Sequence, residues 1–169
     1  MYLINTDCSI EPFNPGGILA WAFIAKSIAG SNKGREWSDY GISGRGEGKT
    51  NNMGEYHAVI AALRWAIQLP QEDRRPLIIQ SDSQLLVNQC SGRWRVKDEK
   101  LAPLRILVSK AIQRYGKAVT FKWVPREQNT AVDRVSRLAY DPPEIRAELE
   151  QMRASRHREV IEEMDELPW

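Results

Sequence analysis

The chain has 169 residues, 42% of them apolar and 27% charged, which suits one domain able to build its core without metal or disulfide staples. No apolar run approaches the roughly 20 residues of a membrane span, and the N-terminus reaches Asp7 without a basic leader, so neither a membrane anchor nor a signal peptide is expected. Cys8 and Cys90 are too few for a disulfide framework or a four-cysteine zinc site, and a reducing, cytoplasmic setting is the default. The net charge of +2 divides unevenly. Residues 143–169 carry eight acids and four arginines, while residues 1–142 carry 14 acids against 20 lysines and arginines. A basic body with an acidic tail is compatible with a polyanionic partner.

Tyr2 to Cys8 reads as a short strand, followed by turn chemistry in Glu11-Pro12-Phe13-Asn14-Pro15-Gly16-Gly17. Ile18–Lys26 and Glu36–Ser43 form two further strands, so three runs joined by short turns predict an antiparallel meander. Gly44 to Lys49 reads as a flexible loop. The period then changes: Val59, Ala62, Leu63 and Ala66 mark an amphipathic helix from about Asn52 to Leu69, ended by Pro70. Leu77–Ser81 is a compact apolar strand, a short helix follows from Gln84, and a longer one follows Asp98. Val119–Val124 is the fifth strand, and a helix runs from about Thr130 to Tyr140 before Asp141-Pro142-Pro143 breaks it. An added amphipathic helix over residues 144–166 places Ile145, Leu149, Met152, Val160 and Met164 on one side. The expected architecture is α/β: a mixed five-stranded sheet, three antiparallel strands plus two parallel, with helices on both faces. We divide it into a body of residues 1–142 and a helical extension of residues 143–169.

Four acids occupy awkward positions. Asp7 ends the first strand, Asp82 ends the buried fourth strand, Glu55 lies in line with Val59 and Ala62 on the helix face that packs on the sheet, and Asp133 lies in the first turn of the helix after strand five. Singly, Asp7 and Asp82 read as ordinary strand-end or capping acids, and Asp133 as an acid favoured by a helix dipole. Glu55 is harder to dismiss, because a buried carboxylate is costly unless something pairs with it. Functional groups of open α/β sheets gather at strand carboxyl ends, and if the first and fourth strands are neighbours these acids converge. Such a group repels itself unless a divalent cation neutralises it. Oxygen ligands favour Mg2+ or Mn2+, and two such ions about 4 Å apart suit phosphoryl transfer.

These residues belong to four blocks: Asp7-Cys8-Ser9 with Asn14-Pro15-Gly16-Gly17 and Ala20-Trp21-Ala22-Phe23; Thr50-Asn51-Asn52-Met53-Gly54-Glu55-Tyr56-His57-Ala58; Ser81-Asp82-Ser83-Gln84; and Trp123-Val124-Pro125-Arg126-Glu127-Gln128-Asn129 leading to Asp133. In this order and spacing, over about residues 1–140, the chain resembles type 1 ribonuclease H, which hydrolyses the RNA strand of RNA–DNA hybrids. The resemblance implies that Asp7, Glu55, Asp82 and Asp133 are catalytic and hold two Mg2+ or Mn2+ ions. It implies that Asn51, Asn52 and Gln84 contact the hybrid in its minor groove, where 2′-hydroxyls are displayed. It also places Asn14 and the Cys8-Ser9 backbone beside the RNA strand, with Thr50, Arg45 and Lys49 near phosphate.

The chain departs from the family pattern in three ways. Cys8 stands where a glycine is usual. The loop before Asp133 lacks the histidine often assigned to proton transfer or product release, for which Glu127 or Asn129 are the nearby substitutes. The basic handle of many members is reduced to Gly92-Arg93-Trp94-Arg95-Val96-Lys97, in which Trp94 and Lys97 read either as sugar-phosphate contacts or as a core indole with solvated flanks. Three alternatives stay open: a non-catalytic hybrid or duplex binding module, a related nuclease acting on duplex RNA or DNA junctions, and a nucleotide binder built on Ser43-Gly44-Arg45-Gly46-Glu47-Gly48-Lys49-Thr50, a near match to a phosphate-cradling loop. The expected partner is the hybrid, with duplex RNA as a side substrate left open, and the expected state is a monomer. The C-terminal helix reads as a packed stabiliser, a self-association element or a partner-docking peptide ending in Leu167 and Trp169.

Overall fold

The computed structural model describes residues 1–30 and 32–165, with side chains to residue 160. Five strands form one sheet: β1 (Tyr2–Glu11), β2 (Gly16–Ser27), β3 (Glu36–Gly46), β4 (Leu77–Ser81) and β5 (Val119–Trp123), in the order β3-β2-β1-β4-β5. The first three pair antiparallel through short turns, while β4 and β5 join β1 in parallel through helical crossovers. The helices are α1 (Asn51–Gln68), α2 (Gln84–Cys90), α3 (Ala102–Tyr115), α4 (Thr130–Arg137) and α5 (Pro143–Asp165). No described helix is long and apolar enough to cross a membrane.

Helices cover both faces, because alternate strand residues on either side are apolar. On one face Ile4, Phe23, Ala25 and Ile79 pack against Tyr56, Val59, Ala62 and Leu63 of α1, with Leu86 of α2 and Val108 of α3 completing the core. On the other, Ile18 and Ala20 of β2 meet Ala139, Tyr140, Ile145 and Leu149, so the first half of α5 packs on the body. The approach of α1 to the sheet depends on Gly54, where a Cβ would lie 2.7 Å from both the Cys8 Cβ and the Leu19 Cδ1.

Several expected boundaries move. Strand β1 continues past Cys8 to Glu11, because its pairing with β2 runs on to Glu11–Ile18 after pairing with β4 has stopped at Asn5–Gln80. Asp7 therefore lies inside a strand. Strand β3 extends to Gly46, so half of the expected flexible loop is sheet edge. Val160 is 42% exposed and does not continue the buried side of α5, while the Met164 side chain and residues Leu167 and Trp169 lie outside what is described.

Candidate active site

Past Gln80 the parallel ladder between β1 and β4 ends, and β1 continues with a partner on its β2 side. Four elements that border this gap carry the candidate acids. Asp7 projects from β1, Asp82 follows β4, Glu55 is the fifth residue of α1, and Asp133 the fourth of α4. Asp7, Cys8 and Glu55 each offer a ligand atom within 4.8 Å of the others. Asp82 and Asp133 are half-buried and do not share that cluster, yet both act on Asp7 through space.

The electrostatics follow from burial. Asp7 is pushed up to about 7 by desolvation and then by Asp82, with Asp133 adding to the rise and the Cys8 amide and Arg126 opposing it. Glu55, buried between helix and sheet, is held well above the usual carboxylate range by desolvation and by the charges of Asp7 and Asp82. Specific donors steady these oxygens: the Cys8 N–H donates to Asp7 Oδ1 at 2.8 Å, and the Ser81 hydroxyl donates to Glu55 Oε2 at 3.2 Å. Burial and the neighbouring acids also hold the Cys8 thiol protonated, 3.6 Å from Glu55 Oε1, so it serves as a weak donor. A hard divalent cation prefers carboxylate oxygen to sulfur, which makes the carboxylates its donor set. Carboxylates that are mutually repelled and partly desolvated fit a hard divalent cation.

The other predicted residues separate into surface and interior. Asn51 and Asn52 are exposed on the first turn of α1, Gln84 is exposed at the start of α2, and Thr50 is the half-buried residue that caps α1. Asn14 is exposed in the β1–β2 turn, and Lys97 is exposed. Trp94 is 50% exposed, which removes the reading of a core indole. The Ser9 hydroxyl is buried and bonded to Ser136 and Tyr140, so only its backbone is placed near the site. Asn129 is corrected. It is 1% exposed, its amide nitrogen donates to the Thr6 carbonyl at 3.0 Å, and its oxygen accepts from Asn5, so it ties the loop before α4 to β1 and cannot reach a substrate.

Cys8, where the family usually has glycine, sits in ordinary extended geometry within β1, and among the described residues only glycines have positive φ. Nor do the glycines of Ser43 to Thr50 form a phosphate cradle. Gly44 and Gly46 finish the edge strand, the Lys49 stem crowds Gly44, and α1 begins two residues after Lys49. His57 faces away from the acids, lining a cavity of about 450 Å3 with Trp21, Asp39, Arg64 and Trp65.

Three residues escaped sequence reasoning. The Ser81 hydroxyl bonds Glu55 and also accepts from the Ser83 N–H. The Trp123 indole N–H, from the end of β5, donates to the Asp82 carbonyl at 3.0 Å. Arg137 pairs with Asp133 at 3.3 Å and with Glu11 at 3.2 Å. Only Arg137 left a trace in the sequence, four residues after Asp133 on the same helix.

The sequence model of the reverse transcriptase-like family matches residues 38–139. The bifunctional protein Rv2228c of Mycobacterium tuberculosis is 38% identical over 92 residues, which are 54% of this chain and 24% of that protein. A ribonuclease HI of Halobacterium salinarum is 32% identical over 93 residues, 44% of its length. The chain thus spans about a quarter of the mycobacterial relative. Among solved structures, RNase H1 from Halobacterium salinarum superposes with a TM-score of 0.69 at 25% identity, covering 83% of this chain and 97% of that one. The N-terminal RNase H domain of Rv2228c gives 0.66 at 25% identity, covering 83% and 95%. LC11-RNase H1 in complex with an RNA/DNA hybrid shares the fold at a TM-score of 0.70 and 24% identity, covering 83% and 97%.

Proposed function

The chain belongs to the reverse transcriptase-like family, with the fold of type 1 ribonuclease H, and on that premise we propose that it is a metal-dependent endonuclease hydrolysing the RNA strand of RNA–DNA hybrids. The observation that carries this reading is the convergence of Asp7 and Glu55 within 4.8 Å, under the through-space influence of Asp82 and Asp133. Asp7, Glu55, Asp82 and Asp133 would hold two Mg2+ or Mn2+ ions. Ions held there would supply charge neutralisation for hydrolysis of the phosphodiester, with 5′-phosphate and 3′-hydroxyl ends as the expected products.

The protein's own groups do the positioning. Ser81 and the Cys8 amide hold the Glu55 and Asp7 oxygens, Trp123 steadies the turn bearing Asp82, and Arg137 restrains Asp133. Asn51, Asn52 and Gln84, exposed on the first turns of α1 and α2, supply amides suited to 2′-hydroxyls and base edges. Trp94 and Lys97 offer a stacking face and a cation for the sugar-phosphate backbone.

The test is a side-by-side assay of a labelled hybrid, duplex RNA and duplex DNA, with Mg2+, with Mn2+ and with EDTA. We expect cleavage of the hybrid's RNA strand with either ion and none in EDTA, and loss of cleavage in Asp7→Asn and Asp82→Asn while hybrid binding survives. Metal-independent cleavage, or full activity in either variant, rejects the reading.

A further inference from the structure

The helix α5 lies outside the residues that carry the family likeness, and its placement brings acidic groups beside Asn14 and Arg45, which the resemblance sets near the RNA strand and its phosphates. Ile145 and Leu149 anchor it on Ile18, Ala20, Ala139 and Tyr140. One turn of that anchored helix presents Glu148, whose Oε1 lies 2.6 Å from the Arg45 Nε at the end of β3. Farther along, Arg153 reaches Glu11 at 3.8 Å, and Arg156 sits over the Phe13 ring with its guanidinium 5.9 Å from the centroid. Between α5 and the β1–β2 turn runs a groove of about 860 Å3. Its walls include Asn14 of the proposed RNA-facing turn, with Glu47, Glu148 and Glu159 set against Arg156. Three carboxylates facing one guanidinium make this groove a poor host for phosphate, beside a cation otherwise free to bind it.

We propose that α5 is an acidic strap that competes with the hybrid backbone for Arg45, with Glu148 as the competing group. The proposal rests on the function proposed above and adds a regulation of the same surface. The ion pair is partly exposed, with side chains 47% and 34% accessible, so the competition is modest and falls as salt rises. A hybrid phosphate displaces Glu148 at a cost, and removal of that carboxylate tightens binding.

The experiment measures anisotropy of a fluorescein-labelled RNA–DNA hybrid with the full chain in EDTA, from low to moderate salt, alongside a cleavage assay in Mg2+. Glu148→Gln should bind the hybrid about two- to fivefold tighter at low salt, the span of an exposed ion pair, with the gain shrinking as salt rises. Glu148→Lys should exceed it. Arg45→Gln should bind more weakly, and in that background Glu148→Gln should bring no gain. Unchanged melting temperatures certify that the variants fold. Wild-type cleavage with no tightening in Glu148→Gln and Glu148→Lys overturns the strap alone, as does a gain that persists without Arg45. A wild-type chain that neither binds nor cleaves the hybrid overturns the function reading and the strap with it.

Discussion

Asp7 shows how one carboxylate couples stability to metal. Its folded value of about 7 lies above the ordinary 3.8, so the folded protein holds that proton more tightly than the unfolded chain does. The stability this lends is fully present below about pH 4 and is lost as pH rises through 7. The metal-free protein should therefore melt at progressively lower temperature from pH 5 to 8, and saturating Mg2+ or Mn2+ should reverse the decline. Asp7→Asn should flatten the profile and raise the metal-free Tm at pH 8 by about 2–4 °C for each kcal/mol of repulsion relieved. Differential scanning fluorimetry across pH, with and without metal, checks this; a wild-type profile flat from pH 5 to 8 counts against it. Glu55 was legible in the sequence as a carboxylate in an apolar register, and Asp7, Asp82 and Asp133 became legible only beside it and through the family blocks. Ser81 and Trp123 were not, since a buried serine or an aromatic strand residue is ordinary until its neighbour is known.

At the scale of elements, the site depends on how closely α1 lies against β1. Gly54 allows that approach, and a methyl group there meets Cys8 and Leu19 at 2.7 Å. Gly54→Ala should cost about 1–3 kcal/mol by overpacking and should reduce cleavage more than hybrid binding, because Glu55 moves with the helix. Chemical denaturation together with single-turnover rates separates the two effects; undiminished activity would show that the spacing is slack. The residual handle makes a different claim. Trp94, 50% exposed beside cations, should contribute stacking, so Trp94→Ala should weaken hybrid binding about fivefold, near the lower end for base–aromatic contacts, with no change in Tm. A fall in Tm with unchanged affinity would return Trp94 to a structural role. Hydrophobic pattern and turn residues together located the five strands and five α-helices described, but their ends shifted where one neighbour outlasted another, as when β1 follows β2 beyond its contact with β4.

For the molecule as a whole, the second core joins the extension to the body. Leu149 is 6% exposed against Ile18, Ala20 and Tyr140, so Leu149→Ala should cost about 2–3 kcal/mol and lower Tm by about 5–10 °C. A Tm within 1–2 °C of wild type, the shift of about 0.5 kcal/mol, would mean that α5 contributes little to the stability of the body. The apolar spacing of Ile145, Leu149 and Met152 marked a side to be covered without deciding what covers it, and the same spacing extended to Val160, which is exposed. Periodicity reports which side of a helix is apolar, and only the extent of the surface beneath it decides how far that side is covered.

The amino-acid sequence by itself determined the α/β architecture, the order of its elements and which acids are candidates for a site, because these rest on local period, turn chemistry and the rarity of buried charge. Tertiary structure alone decided that Asp7 and Glu55 meet within 4.8 Å, that Asn129 is spent on the Thr6 and Asn5 backbone and side chain, and that Arg45 is held by a helix 103 residues away. Those outcomes depend on strand order, on register and on one glycine's allowance for close packing. Such quantities are set by which surfaces fit together, and residues distant along the chain carry no local signature of it.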